Sequence, residues 1–226
     1  MKEKQKTFEL EPVQQLLPAD AQQRVMDQLY QFMELEHLYE SAIREVKTKL
    51  EILDSEFKTK YDHNPIHHLE DRVKSPQSIL EKLNRKGIPF SCDNAKRELN
   101  DIAGVRVVCN YIDDIYTVAD LLTAQDDVKL IKRKDYIQNP KPNGYRSLHL
   151  VIETPVYLSE KKELVHEVQI RTIAMNFWAT LEHDLKYKTD SVVSADLAQQ
   201  LKDCAETIAS TDQQMQDIYK ALHNID

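Results

Sequence analysis

Glycine occupies only three of the 226 positions, Gly87, Gly104 and Gly144, and that scarcity restricts the chain more than any other feature. Walker A and GxGxxG loops need several glycines within a few residues, so that backbone N–H groups can close on a phosphate. Neither loop can be built here. Any phosphate this chain binds must be held by side chains and helix ends. With 30% charged residues and a mean hydropathy of −0.57, the sequence describes a soluble, helix-rich protein large enough for one domain with helical extensions. No apolar run approaches the roughly 20 residues of a membrane span. Met1 to Asp20 has no apolar signal-peptide core. Cys92, Cys109 and Cys204 form no CxxC pair and are expected to be reduced, core-type residues of a cytoplasmic protein.

The net charge of −8 argues against general nucleic-acid affinity, and DNA is not an expected partner. The distribution says more than the total. Residues 1–71 hold 9 basic and 15 acidic side chains, residues 150–226 hold 7 and 13, and the centre, 72–149, holds 14 and 10. A basic centre between acidic arms suits an anionic ligand of limited size.

Two stretches then read as a site. In Tyr145 to Ile152, Leu148, Leu150 and Ile152 take one side of a strand, and Tyr145, Ser147 and His149 the other. In Glu167 to Thr172, Val168 and Ile170 oppose Glu167, Gln169 and Arg171. A merely solvated sheet face would carry scattered Lys, Glu and Thr. Asp101 to Cys109 is a third strand, with Val105, Val107 and Cys109 inward and Arg106 outward, and Val128 to Tyr136 is a basic fourth. The lysines of that fourth strand could protect an edge, but their place between two site segments favours a ligand.

Helices account for much of the remainder. Residues 1–20 form a loose tail. Residues 21–60 carry an apolar seam (Phe32, Leu35, Tyr39, Ile43, Val46, Leu50, Leu53, Phe57), packed on the core or on another subunit. Residues 61–190 form the domain that holds the segments reading as a site. Tyr61 to His68 reads as a connector whose His63, His67 and His68 lack a cysteine or carboxylate at a recognised zinc spacing. Ser75 caps a helix with Pro76 at its first position; Ile79 and Leu83 are its buried side, and Ser78, Lys82 and Arg85 lie along another. Arg72 and Lys74 stand just before that helix start, where the dipole already favours an anion. Residues 91–100 read as a polar connection, and Ile112 to Ala124 as a helix capped by Asp113 or Asp114. In Ile173 to Lys188 the expected core face is Phe177, Leu181 and Leu185; the polar stripe is Asn176, Thr180, His183 and Tyr187, and Trp178 is packing. Residues 191–226 follow a break with a heptad seam (Leu197, Leu201, Cys204, Ile208, Thr211, Met215, Ile218, Leu222), expected to support oligomerisation.

Carboxylates Asp101 and Glu167 amid Arg72, Lys74, Lys82 and Arg106 suggest Mg²⁺ bridging phosphate oxygens. Tyr145 suits stacking on a base. The residues alone thus lead to a Mg²⁺-dependent nucleotide-phosphate enzyme. Two rivals stand beside it: a non-catalytic module binding guanine nucleotides or single-stranded RNA, and a nucleotidyltransferase releasing pyrophosphate.

The motifs RVKSPQSILEK, DIAGVRVVC, KRKDYIQNPKPNGYRSLHL, EVQIRT and MNFWATLEHDLKYK closely resemble the synthetase domain of the RelA/SpoT proteins. The chain is similar to a small alarmone synthetase, and DHNPIHHLEDRVKS brings it nearest the RelP branch. The resemblance covers about residues 35–190. It implies an α/β (α+β) fold with a nucleotidyltransferase-like mixed sheet flanked by helices, extended by long N- and C-terminal helices. It implies transfer of the β,γ-pyrophosphate of ATP to the 3′-hydroxyl of GDP or GTP, giving ppGpp or pppGpp and AMP in the stringent response. By the same resemblance Asp101 and Glu167 hold Mg²⁺, with Glu167 the base. Arg72 and Arg106 clamp adenine, and Lys74, Ser78, Lys82 and Arg85 hold the ATP phosphates. Tyr145 stacks on guanine. Lys132, Lys134, Lys141, Asn143 and His149 surround the acceptor, supported by Gln169, Asn176 and His183. His183-Asp184, the only His-Asp pair, falls within the synthetase's last motif, so hydrolysis is not expected. Basic Lys132 before Arg133-Lys134-Asp135 hints at tolerance for GTP, and small members of the family are commonly homotetramers.

Overall fold

A computed structural model describes residues 18–188 and 194–224, so the expected tail over 1–17 and most of the break near 191–195 lie outside the described residues. The elements run α1 (Ala19–Lys60), β1 (Ile66–Val73), α2 (Pro76–Arg85), α3 (Cys92–Glu98), β2 (Ala103–Cys109), α4 (Ile112–Thr123), β3 (Lys129–Asp135), β4 (Leu148–Tyr157), β5 (Lys161–Thr172), α5 (Ile173–Lys188) and α6 (Ala195–His223). Five strands form one sheet in the order β1-β2-β5-β4-β3. Only the central β2–β5 pair is parallel, which makes the sheet mixed, as expected.

The strand alternation decides which face is dry. Val105, Val107, Leu148, Leu150, Ile152, Val168 and Ile170 are all buried on one side. Helix α1 lays Leu35, Tyr39, Ile43, Val46 and Leu50 into the same cluster, and α4 adds Ile115, Val118, Ala119 and Leu122. Truncating a member such as Leu50, fully buried, to alanine is expected to cost about 2–5 kcal/mol. The N-terminal seam is therefore spent inside the chain. Ser75 caps α2 as expected, accepting from the Ser78 N–H at 3.3 Å, and Ile79 and Leu83 are buried. Of the two acidic candidates at α4, Asp114 acts, accepting from the Tyr111 N–H at 3.0 Å, while the N-cap position itself is Tyr111.

Several expectations need correction. The connector over 61–68 ends in a strand: β1 begins at Ile66 and runs antiparallel along β2 as the sheet edge, so its burial does not alternate regularly. The connection over 91–100 contains the helix α3, started by Ser91, whose hydroxyl accepts from the Asn94 N–H at 3.0 Å. In α5 the core face is rotated. Phe177, Leu181 and Leu185 are 57%, 47% and 55% exposed, whereas Met175, Trp178 and Ala179 are buried. The expectation for α6 is not among them: its face on the domain is Ala205, Asp212 and Gln216, and most of the heptad seam (Leu197, Met215, Ile218, Leu222) is exposed. Cys204 is also exposed rather than core-type, unlike the buried Cys109.

Candidate active site on the polar face of the sheet

On the face away from α1, strand register builds two rows of side chains across all five strands. One row is Glu70, Arg106, Gln169, His149 and Lys134; the next is Arg72, Gly104, Glu167, Val151 and Lys132. Residues in register point to the same face, so this pairing alone brings together groups far apart in sequence.

The β1–β2 end of the rows is a cavity of about 330 Å³ whose lining includes Arg72, Lys74, Asp101, Arg106, Glu167 and Gln169. Lys82, reaching from α2, sets its Nζ 2.5 Å from Asp101 Oδ2, and Lys74 Nζ lies 3.1 Å from the same oxygen. Burial by itself raises the Asp101 carboxyl; the Lys82 hydrogen bond and the charges of Lys74 and Lys82 outweigh it and hold the group below its ordinary value. The second oxygen, Oδ1, is buried without a hydrogen-bond partner. A buried, ionised oxygen left unpaired is costly unless something cationic completes it, and an oxygen-seeking divalent ion fits that role. Ser78 and Arg85 lie one turn to either side of Lys82 on α2 but do not line the cavity.

Glu167 sits where the two halves of the site meet. Its Oε1 lies 3.0 Å from His149 Nδ1, and its Oε2 accepts from Gln169 Nε2 at 2.8 Å. Burial raises its carboxyl, but the hydrogen bonds to His149 and Gln169 hold it below the ordinary range, against the charge of Asp101. It is therefore ionised at neutral pH.

Beyond Glu167 the site is knit by hydrogen bonds. Tyr145 Oη stands 2.8 Å from His149 Nε2, and Arg171 Nη2 donates to Tyr145 Oη at 2.6 Å. One assignment satisfies every partner: Arg171 donates to the phenol, the phenol to His149 Nε2, and His149 Nδ1–H to Glu167. Arg171 also donates to Gln169 Oε1 at 2.7 Å and contacts Asn176 Oδ1 at 3.4 Å. The Lys141 ammonium lies 4.5 Å from the Tyr145 ring centroid and 4.7 Å from that of Tyr136, and burial lowers its pKa.

Most of the expected residues are brought together, with Lys132 one row further out on an exposed strand. Asn143 bridges to α5, donating to Glu182 Oε1 at 3.0 Å, so it braces the turn. His183 lies on an exposed part of α5 and does not line the cavity. Sequence reasoning missed Glu70 and Tyr136 as site members, and gave Arg171 a place on the site face but no role. Glu70 Oε2 accepts from Arg106 Nη1 at 2.7 Å, yet its strand was not recognised. The parity of Glu167, Gln169 and Arg171 does place Arg171 on the site face.

Residues 71–192 match the family described as a region found in RelA / SpoT proteins. The chain is 47% identical over 186 residues to the GTP pyrophosphokinase YwaC of Bacillus subtilis, covering 82% of this chain and 89% of that protein. It is similar to the crystal structure of small alarmone synthetase 2 from Bacillus subtilis, at TM-score 0.75 and 45% identity over 83% of this chain and 97% of that one. It is also similar to small alarmone synthetase 1 from the same organism bound to its product pppGpp, at TM-score 0.76 and 38% identity, covering 81% and 93%.

Proposed function

Because the chain belongs to the RelA/SpoT family, we propose that it is a (p)ppGpp synthetase, which transfers the β,γ-pyrophosphate of ATP to the 3′-hydroxyl of GDP or GTP. The observation that carries this reading is the position of Glu167: an ionised, hydrogen-bonded carboxylate between a cation-lined cavity and a tyrosine platform.

ATP lies over β1, β2 and α2. Arg72 and Arg106 clamp the adenine, because a planar guanidinium stacks where an ammonium does not. Lys74, Lys82 and Arg85, with the Ser78 hydroxyl, hold the phosphates, and their charge offsets the negative charge that develops there. The acceptor lies over β4 and the 141–146 turn, its guanine on Tyr145, with Lys132, Lys134, Lys141 and His149 around it. Asn143, Gln169, Asn176 and His183 support that arrangement. Glu167 takes the proton from the 3′-hydroxyl as its oxygen bonds to the β-phosphorus; the bond from that phosphorus to the α,β-bridging oxygen breaks, and AMP leaves. His149 and Gln169 hold the carboxylate in place through this transfer. Asp101, with its unpaired Oδ1, and Glu167 are the residues that would hold Mg²⁺, which neutralises charge on the phosphate oxygens.

The reading places the enzyme in the cytoplasm, beside its nucleotide substrates. Among the described residues no helix is long and apolar enough to cross a membrane. The exposed stripe of Phe177, Leu181 and Leu185 on α5, with Met215, Ile218 and Leu222 on α6, supports assembly into a homotetramer.

The test is direct. Protein, Mg²⁺ and γ-labelled ATP are incubated with GDP or GTP and the products resolved. Label in a guanosine tetra- or pentaphosphate, with AMP as by-product, is the expected result. Released pyrophosphate would instead mean a nucleotidyltransferase, and absence of any product would mean a binding module.

A further inference from the structure

Helix α6 lies beyond residues 71–192, the span matched to the family, yet it is built into the acceptor side of the site. The 141–146 turn closes through the Gly144 N–H to the Lys141 carbonyl at 2.8 Å. Gly144 takes φ +88°, in the left-handed region that an L side chain rarely adopts. Space forbids a side chain there as well. A Cβ on Gly144 would stand 2.5 Å from Ala205 Cβ and 3.6 Å from the Lys202 backbone. Arg146 spans the junction, its Nη1 reaching the Gly144 carbonyl at 3.3 Å and the Ala205 carbonyl at 3.5 Å. From below, Trp178 donates to the Leu201 carbonyl at 3.0 Å, and Tyr145 packs on the buried cluster of Trp178, Ala179 and Ala205. Further along, Thr172, at the end of β5, donates to the buried Asp212 at 2.6 Å and fixes the helix against the strand that carries Glu167.

We propose that Ala205 is a positioning residue for the acceptor nucleotide: the surface of α6 is the stop against which the Gly144–Tyr145 turn rests, and so sets the height of the tyrosine ring. The inference rests on the reading of Tyr145 as the guanine platform. Neither glycine nor a larger residue serves at 205. Removing the methyl lets the turn sink, and adding bulk pushes it outward. The ATP cavity shares no residue with this junction.

The experiment uses the full chain and measures KM for ATP and for GDP separately. Ala205→Gly is compared with Ala221→Gly, which places the same helix-weakening residue on an exposed part of α6. Ala205→Gly is expected to raise the GDP KM about fivefold and to leave the ATP KM and kcat within about twofold, while Ala221→Gly changes none of them. Gly144→Ala is expected to raise the GDP KM about thirtyfold, and the double variant Gly144→Ala/Ala205→Gly to recover about threefold of that loss, the remainder reflecting the positive φ. Trp178, the only tryptophan, gives a second readout: GDP added to the free enzyme changes its fluorescence, the non-hydrolysable ATP analogue AMPCPP does not, and the GDP midpoint shifts with Ala205→Gly by the same factor as the KM. Equal increases in both KM values, or an Ala205→Gly protein that matches Ala221→Gly, overturn the proposal. Tyr145→Ala, run in parallel, separates the two readings. If it leaves the GDP KM unchanged the platform itself is wrong, whereas a raised KM beside a silent Ala205→Gly removes only the role of α6.

Discussion

The two ends of the site are held by different forces. At the β1–β2 end, Asp101 is fixed by two lysines whose side chains are 24% and 31% exposed, and one of its oxygens has no partner. At the β4–β5 end, the buried Arg171 and His149 belong to a hydrogen-bonded chain that runs from Tyr145 to Glu167 and leaves few groups unmatched. One end is a cradle of cations around a carboxylate, held by charge. The other is a preformed surface, held by hydrogen bonds. Glu167 touches both, lining the cavity and pairing with His149, and that position is why the proposed function makes it the base.

The contrast predicts where each end breaks. Arg171→Met should have the largest effect, because it removes the buried guanidinium that donates to both Tyr145 and Gln169. We expect a GDP KM raised about a hundredfold and a loss of about 3 kcal/mol in denaturant unfolding, with the ATP KM little changed. An equal rise in both KM values would mean that the two ends are one unit.

Acid should divide the site next. His166, on the apolar back of β5 one residue from Glu167, is fully buried, and burial, opposed only by the Leu164 backbone, pushes its pKa down from 6.5 to about 4. A base whose folded pKa is depressed binds its proton in the unfolded chain first. Stability therefore falls as pH drops from 6.5 toward 4, by on the order of 3 kcal/mol. Asp101 and Glu167 have depressed pKa values as acids, and their contribution is lost only below the ordinary carboxylate range. His166→Leu should flatten unfolding free energy across the upper window and leave the lower loss in place. An unchanged slope would show that His166 does not carry it.

Lys82→Met, at the open end, should raise the ATP KM about tenfold with a GDP KM within twofold, since it removes a charge and not a packed surface. Salt should act in the same sense and more weakly. Between about 0.1 and 0.5 M the screening length falls from roughly 10 to 4 Å, and the ATP KM should rise about threefold more than the GDP KM.

The same division explains what the sequence made legible. Strands with clean alternation, such as Leu148 to Ile152 and Glu167 to Arg171, could be read with their faces. So could the Ser75–Pro76 helix start, because capping is local chemistry. Edge strand β1 could not: His67, His68, Glu70, Asp71 and Arg72 give no alternation of apolar and polar residues, and what makes them a strand is the ladder along β2. That miss also hid Glu70. In α5 the sequence offers two apolar stripes, and the larger residues, Phe177, Leu181 and Leu185, lie outward while Trp178 and Ala179 meet α6. Periodicity shows that a face is apolar, not which neighbour covers it. The Gly144–Ala205 contact joins positions 61 residues apart and has no local signal.

The measurement that bears most directly on the account separates binding from turnover in Glu167→Gln. Calorimetric titration with AMPCPP and with GDP, both without Mg²⁺, should give dissociation constants within about threefold of the unmodified enzyme, because the lysines and arginines of the cradle and the tyrosine platform are intact and only the metal-holding carboxylate is changed. Formation of the labelled guanosine product should fall about a thousandfold or more, because the group that accepts the proton is gone. A variant that keeps its turnover would contradict the central role of Glu167 and move the base elsewhere in the site.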